Sequence, residues 1–412
     1  MTPQIKQRIE QIRRGEVPDG YKKTKVGVVP NEWNEESLGK YLQEHKELSN
    51  DIERYPVYSS SRQGLVPQSQ YYDNREAVET NLGYKIVPNG YVTYRHMSDD
   101  DIFHFNANKT GSEVLVSSEY PVFTSTKKGD LGYLIPMLNG TARFRYFCRT
   151  QKMGGTRTRL YYKNLCTYKT AFATLPEQKK IAEILSTQDK LIALKEKLIE
   201  EKKRQKKALM QQLLTGKKRL TGFSGAWVDV KLGDIFAERV ETNCQDLELL
   251  SVTGTNGVVP RSTIETKDNS SEDKSKYLKI CKGDIGYNTM RMWQGVSALS
   301  EYEGIVSPAY TILIPSPEIS AKYFSYLFKM HAVIFLFYRF SQGIVDDTRS
   351  LKYYEFAKLH LTVPSDKKEQ EAIADILTIA DKEIEILQKD LDQEKQKKKA
   401  LMQLLLTGIV RV

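Results

Sequence analysis

Between Leu131 and Pro176 the chain has no Asp or Glu, yet it holds Arg143, Arg145, Arg149, Lys152, Arg157, Arg159, Lys163 and Lys169. Tyr146, Phe147, Tyr161, Tyr162 and Tyr168 are interleaved with these cations. Cations track phosphates and aromatic rings stack on bases, so the stretch suits a nucleic-acid face. It equally suits a basic sheet surface beside its own core aromatics. Composition does not choose between them.

Catalytic patterns are missing. Gly15 to Lys22 is a near miss for a phosphate loop, with Tyr21 where the joined Gly-Lys should be, and no GxGxxG occurs. There is no Asn-Pro-Pro-aromatic tetrad of the kind that holds an amine for methylation. The histidines, His45, His96, His104, His331 and His360, show no metal-ligand spacing. His104 near Asp99, Asp100 and Asp101 reads as an ordinary histidine beside an acidic loop. Cys148, Cys166, Cys244 and Cys281 include no CxxC pair and read as reduced core residues. No metal and no bound cofactor are expected.

The elements that would position a binding face are legible. The 412 residues carry a net charge of +10, which permits a nucleic-acid partner without establishing one. The first 220 residues hold +13 and the remainder −3. No apolar run reaches the roughly 18 residues of a membrane span. Met1 to Arg14 lacks an apolar leader core, so a cytoplasmic protein is expected.

An internal repeat organises the chain. Glu177–Gly216 aligns without gaps on Glu369–Gly408 at a shift of 192, with 21 identities in 40 positions. The shared ending KKALMQ-x-LLTG is its most specific part. Fainter echoes precede it. Trp33, Leu38 and Gly39 match Trp227, Leu232 and Gly233, and Gly64–Pro67 matches Gly257–Pro260. Gly90 and Tyr94 match Gly283 and Tyr287; Val116, Ser117 and Tyr120 match Val306, Ser307 and Tyr310. Between these landmarks the halves share almost nothing, which fits a duplicated scaffold with divergent inserts.

Each repeated segment reads as one long helix, free of internal Pro and Gly and closed by Gly216 or Gly408. Apolar positions Ile181, Leu185, Ile192, Leu209 and Leu213 in one copy, and Ile373, Leu377, Ile384, Leu391, Leu401 and Leu405 in the other, form a heptad seam. The two helices are expected to pair as an antiparallel coiled coil about 60 Å long. Lys202 to Lys207 and Lys395 to Lys399 are expected to form a solvated or partner-facing stripe. Short β-branched and aromatic runs at Tyr91–Tyr94, Val114–Val116, Pro121–Thr124, Ala309–Ile314 and Leu359–Val363 predict strands. Asn89-Gly90, Lys128-Gly129-Asp130 and Asn139-Gly140 predict turns, and Ile319–Phe340 predicts a helix. The fold class is therefore two α/β (α+β) globules, each followed by a long helix, with pseudo-twofold symmetry. The segments are a lead-in helix (1–20), a first globule (21–175), a first spacer helix (176–216), a second globule (217–365) and a second spacer helix (366–412).

With its EQ-x-x-IA-x-IL and KALMQ-x-LLTG helices, and with Trp33-Leu38-Gly39 and Trp227-Leu232-Gly233 opening each globule, the chain resembles the DNA-specificity subunit of Type I restriction–modification systems. Ser365–Lys368 departs from the first copy by separating Pro364 from Glu369. The resemblance implies a non-catalytic subunit whose globules are target-recognition domains, each reading one half of a bipartite, asymmetric site in double-stranded DNA. It implies two adenine-methyltransferase subunits docked on the helices and two restriction/translocase subunits in the full complex. S-adenosylmethionine, ATP and Mg would belong to those partners. The alternative is a coiled-coil DNA-binding or adaptor protein without a modification partner. Near-twofold symmetry predicts that Met1–Gly15 packs near the base of the second spacer helix.

Base-edge contacts need Arg, Lys, Asn, Gln, Ser or Thr on divergent loops. The candidates in the first globule are Tyr58, Ser59, Ser60, Ser61, Arg62, Arg95, Lys127, Lys128, Arg143, Arg145, Arg157 and Arg159. In the second they are Thr253, Asn256, Arg261, Asn288, Arg291, Gln294 and Arg349. Arg159 and Arg349 align, which favours phosphate or structural contacts for that pair.

Overall fold

The structure, a computed structural model, describes residues 3–71, 83–152, 156–254, 257–264, 270–343, 345 and 348–412. The chain forms two compact units. The first is Met1–Glu196 with Asp390–Val412, and the second is Lys197–Lys389.

In the first unit an antiparallel sheet runs in the order Asn106–Ala107, Val92–Thr93, Val122–Ser125, Leu42–His45. In the second the order is Ser297–Leu299, Ile285–Asn288, Tyr310–Pro315, Phe236–Glu238. Numbered along the chain, both sheets read third, second, fourth, first, so the faint landmark repeat is a repeat of topology. Tyr94 and Tyr287, one of the matched pairs, are both fully buried on their central strands or just past them. A second strand pair repeats as well: Tyr84–Val87 with Val114–Ser117, and Leu278–Ile280 with Gly304–Val306. The Gly64–Pro67 echo forms the hairpin Tyr58–Ser61/Gly64–Pro67, matched by Leu250–Thr253/Gly257–Pro260. Each globule is closed by an early strand paired with its last, Asn34–Ser37 with Lys169–Phe172 and Trp227–Lys231 with His360–Pro364.

The first half of the acid-free stretch is helical, and strands Thr158–Arg159 and Lys169–Phe172 follow further along it. Leu131–Gly140 and Ala142–Thr150 are helices. Asn139-Gly140, expected as a turn, ends the first of them. Burial of Leu134, Met137 and Leu138 at helical spacing overrides the local Asn-Gly signal. Asn139 instead clamps the backbone of Phe105, accepting from its N–H at 2.9 Å and donating to its carbonyl at 3.0 Å. Ile319–Phe340 is two helices, Ala321–Leu327 and His331–Phe340. The break carries Lys329, whose amine donates to the carbonyls of Gly295 and Ser297 at 2.7 and 2.6 Å.

The long helices are Leu175–Leu213 and Lys367–Leu405, 39 residues each. In the first unit, Ile181 and Leu185 of one share a core with Leu405 and Leu406 of the other, together with Trp33, Phe123, Tyr133 and Phe172. In the second, Leu213 and Leu214 share a core with Ile373 and Leu377, together with Phe236, Phe324 and Phe356. Between these cores the seam mixes buried Ile199 and Leu391 with polar pairs. Within the first unit Gln188 donates to Glu394 at 2.6 Å and Lys195 to Asp390 at 2.5 Å. Within the second Lys202 pairs with Glu383 at 2.6 Å and Lys206 with Asp381. Partners advance along one helix as they recede along the other, so the pairing is antiparallel. Lys202 and Lys206 are therefore not solvated stripe residues. They stand at heptad positions between Ile199 and Leu209, which half-buries them and gives them acidic partners. Lys203, Arg204 and Lys207 are exposed as expected.

The opening helix, Pro3–Arg13, sits in the first unit with the tail of the second long helix. Arg8 donates to the carbonyl of Ile409 at 3.2 Å, and the Tyr21 hydroxyl donates to that of Gly408 at 2.9 Å.

Candidate nucleic-acid interface

The base of each unit explains why Glu-Gln opens each long helix. In the first unit Gln178 is fully buried; its amide donates to the Ala173 carbonyl at 2.8 Å and accepts from the Asp130 N–H at 3.0 Å. Gln370 does the same in the second, donating to Pro364 at 2.8 Å and accepting from the Ser320 N–H at 2.9 Å. Each glutamine thus ties the globule's last strand, or the residues just after it, to the cap of its first sizeable helix. Glu177 and Glu369, both buried, take Arg411 and Arg219 respectively. These bases are alike, and the two globules differ in the surfaces beyond them.

In the first globule the candidates divide into groups. Ser59 and Ser60 are both buried, on opposite faces of their strand, with Ser60 Oγ accepting from the Asn106 amide at 2.8 Å. Tyr58 packs against the Val87, Val114 and Val116 cluster. The exposed cation of that hairpin is Arg62, which bonds Asp100 at 2.6 Å. Arg157 bonds Asp99 through Nε at 2.7 Å. Ser60, Ser61, Arg62 and Arg95 line one open cavity of about 410 Å³ with Asp99 and His104. Burial and the Arg62 charge both hold the His104 imidazole below its ordinary pKa. Arg159 lies opposite Met97 in a short strand pair and is exposed.

The remaining cations do not line that cavity. Arg143 and Arg145 are exposed on the helix Ala142–Thr150, where Arg143 donates to the Val26 carbonyl at 2.7 Å. Lys127 and Lys128 occupy the exposed turn above Gln178, whose amide also reaches the Lys128 carbonyl at 3.3 Å.

In the second globule, Asn288, Arg291, Gln294 and Arg349 converge. Arg291 and Gln294 are exposed at a tight turn, and the Asn288 side chain accepts from the Met290 N–H at 3.0 Å. Arg349 stacks 4.0 Å over the Tyr338 ring and donates to its hydroxyl at 3.0 Å. Tyr338 in turn meets Trp293 edge-on at 6.0 Å. Thr253 and Arg261 belong to the hairpin on another part of the globule; Thr253 Oγ1 donates to Gly257 at 2.9 Å, and Arg261 donates to the Ile264 carbonyl at 3.3 Å. Asn256 lies outside the described residues.

Sequence reasoning missed Lys329. It lines a cleft of about 1310 Å³ with Lys206, Thr253, Tyr326 and His331. Burial, helped by the Lys206 charge, pushes its amine down to about 8. A lysine in an apolar helical stretch gives no local sign of such a place. Among the described residues no group of three or more His, Cys, Asp and Glu could hold a metal ion, and no helix is long and apolar enough to cross a membrane.

Residues 39–204 and 225–395 each match the family model described as the Type I restriction modification DNA specificity domain. The chain belongs to that family. It is a specificity subunit, a non-catalytic member of its system that recognises DNA and works with partner subunits. A putative type I restriction enzyme MjaX specificity subunit from Methanocaldococcus jannaschii is 24% identical over 439 residues, covering 96% of this chain and 97% of that one. The crystal structure of a Type I restriction–modification S subunit from M. genitalium superposes with a TM-score of 0.56 at 14% identity, covering 93% of this chain and 98% of the other. A chain from a study of complex assembly and conformational transition in the type I system gives 0.53 at 12% identity, covering 93% and 99%. At these identities the structural likeness shows the fold alone. The two family matches fall one in each half, in register with the internal repeat.

Proposed function

We propose that each globule of this specificity subunit reads one half of a bipartite, asymmetric DNA site. The paired long helices set the half-site spacing and dock two adenine-methyltransferase subunits, to which two restriction/translocase subunits add. One observation carries this reading: the two units share a topology and a Glu-Gln-Arg base, yet they present unlike groups at their tips. The Arg62–Asp100 and Arg157–Asp99 pairs in one have no counterpart at the Arg349–Tyr338–Trp293 cluster in the other. A scaffold used twice with different reading groups suits two different sequences at a fixed separation. Helices of 39 residues are about 58 Å long, less than two turns of duplex at roughly 3.4 Å per base pair.

The test is to express the chain with its methyltransferase subunit and map adenine methylation across a genome. Expected is a two-part motif with an unread gap, absent when this chain is omitted, and a complex with two methyltransferase subunits per chain. Exchanging residues 21–175 for the equivalent globule of another specificity subunit should change one half of the motif only. A single contiguous motif, or methylation indifferent to this chain, would overturn the reading.

A further inference from the structure

Three consecutive carboxylates, Asp99, Asp100 and Asp101, edge the cavity face of the first globule. On a surface that meets a polyanion they oppose binding. Each is nevertheless engaged by a neighbour. Asp99 accepts from Arg157 Nε at 2.7 Å, and Asp100 accepts from Arg62 at 2.6 Å and from the Ser98 hydroxyl at 2.8 Å. Asp101 accepts from the Thr158 hydroxyl. Asp101 holds φ at +61°, an uncommon value for a residue with a side chain, so the loop is bent to present its carboxylates this way.

The two ion pairs are too exposed to matter much for stability. Side-chain exposures are 67% and 37% for Arg62 and Asp100, and 50% and 66% for Arg157 and Asp99. What they do is restrict the guanidinium planes. Arg157 engages Asp99 through Nε alone, which leaves both terminal amino groups without a partner among the described residues. That free edge is the fork that matches O6 and N7 of guanine. Arg62 bonds Asp100 through one terminal nitrogen, so its other terminal nitrogen offers a single donor toward O6 or N7 instead of the full fork. Beside them the cavity of about 410 Å³ supplies Gln63, Arg95 and His104 around an open space.

We propose that Arg157 and Arg62 read guanines in the half-site of the first globule, and that Asp99 and Asp100 are the positioning residues that aim them. The inference rests on the DNA-reading function above. It also explains the acidic loop, which a face built only for phosphates would lack.

The full chain with its methyltransferase subunit is used to select from a pool of randomised duplexes, for wild type and variants. Arg157→Ala should flatten a guanine preference at one position by about tenfold to a hundredfold, with the other half-site unchanged. Asp99→Asn should weaken the same position, and the double variant should be no worse than Arg157→Ala alone. Arg62→Ala and Asp100→Asn should act likewise at a second position. Arg157→Lys keeps the charge without the fork, so it should lose the guanine preference while keeping the salt dependence of binding. A uniform loss of affinity with unchanged preference and a shallower salt slope marks phosphate contacts and overturns the proposal. Full selectivity in Arg157→Lys overturns it too. Wild type that selects no sequence at all would sink the DNA-reading function itself, and with it this inference.

Discussion

Arg411 bonds Glu177 across 234 positions of sequence, Nε to Oε1 at 2.6 Å. Arg219 bonds Glu369 in the same way at 2.7 Å. Both arginines and both glutamates are related by the repeat shift of 192. The tail of the second long helix therefore completes the first unit, and the tail of the first helix completes the second. The glutamates are 4% and 1% exposed, so neither tolerates losing its cation. Arg411→Ala should destabilise the first unit by about 2 kcal/mol, the cost of stranding a buried polar group. Hydrogen exchange should quicken in residues 27–45 and 169–185 while residues 278–315 keep their protection. Equal effects in both units would contradict this division. Arg219→Ala should show the reverse pattern.

The glycine that ends each LLTG motif is a second test of the same joint. Gly408 has φ of +73° and Gly216 of +70°, left-handed values that close a helix and strain any residue with a Cβ. Their surroundings differ. A Cβ on Gly408 would meet the rigid Pro30 ring at 2.6 Å, whereas one on Gly216 would meet the Trp227 ring at 3.2 Å. Gly408→Ala should cost about 2–3 kcal/mol and Gly216→Ala about 1 kcal/mol, because overpacking adds to backbone strain only in the first. Urea unfolding followed unit by unit through hydrogen exchange would check the order. Gly216→Ala proving the more damaging would refute the account.

The two base tryptophans look interchangeable in sequence but are wired differently. Trp33 Nε1 donates to Glu177 Oε2 at 2.8 Å. Trp227 Nε1 is buried with no acceptor among the described residues, although Arg219 holds Glu369 with the same fork that Arg411 makes to Glu177. Removing an unsatisfied donor costs only packing, whereas removing a satisfied one also strips the glutamate. Trp33→Phe should therefore be about 1 kcal/mol more destabilising than Trp227→Phe. Parallel thermal unfolding of the two variants would decide it, and equal losses would count against the difference in wiring.

Much of this was readable from sequence because it is local or repeated. The helix ends were marked by Pro and Gly, and the seam by a heptad that the gapless repeat let us read twice. The docking of the opening helix on the C-terminal tail followed from the symmetry, and Arg8 and Tyr21 realise it. What failed was local signal overridden by burial. Asn139-Gly140 looks like a turn, but Leu134, Met137 and Leu138 need a helix there. Lys206 looks like solvated charge until Asp381, 175 positions away, supplies its partner. The reading face was the least legible. Tyr58 to Arg62 was one block in sequence, yet packing on both faces of its strand buries Ser59 and Ser60, and the turn leaves Arg62 exposed at the cavity. The carboxylates that orient Arg62 and Arg157 are 38 and 58 positions from them, distances at which sequence shows no coupling.

His96 makes the first unit sensitive to acid. Its ring is 3% exposed, stacks on Tyr161 at 5.3 Å, and leaves Nδ1 without a partner among the described residues. Burial lowers its pKa below the ordinary 6.5, and the charges of Arg159, Lys85 and Arg95 add to this against the pull of Glu119. The unfolded chain thus takes up a proton at higher pH than the folded one. The stability is fully present above about 6.5 and is lost as pH falls from there toward the folded pKa, by at most about 1.4 kcal/mol per pH unit. His96→Gln should reduce that slope between pH 7 and 5, leaving the contribution of His104, whose pKa is also lowered. The measurement is the urea midpoint of the first unit at each pH, read by hydrogen exchange of residues 84–98. An unchanged slope in His96→Gln would show that folding does not shift its pKa, and a steeper acid loss in the variant than in wild type would show that His96 is charged in the folded protein.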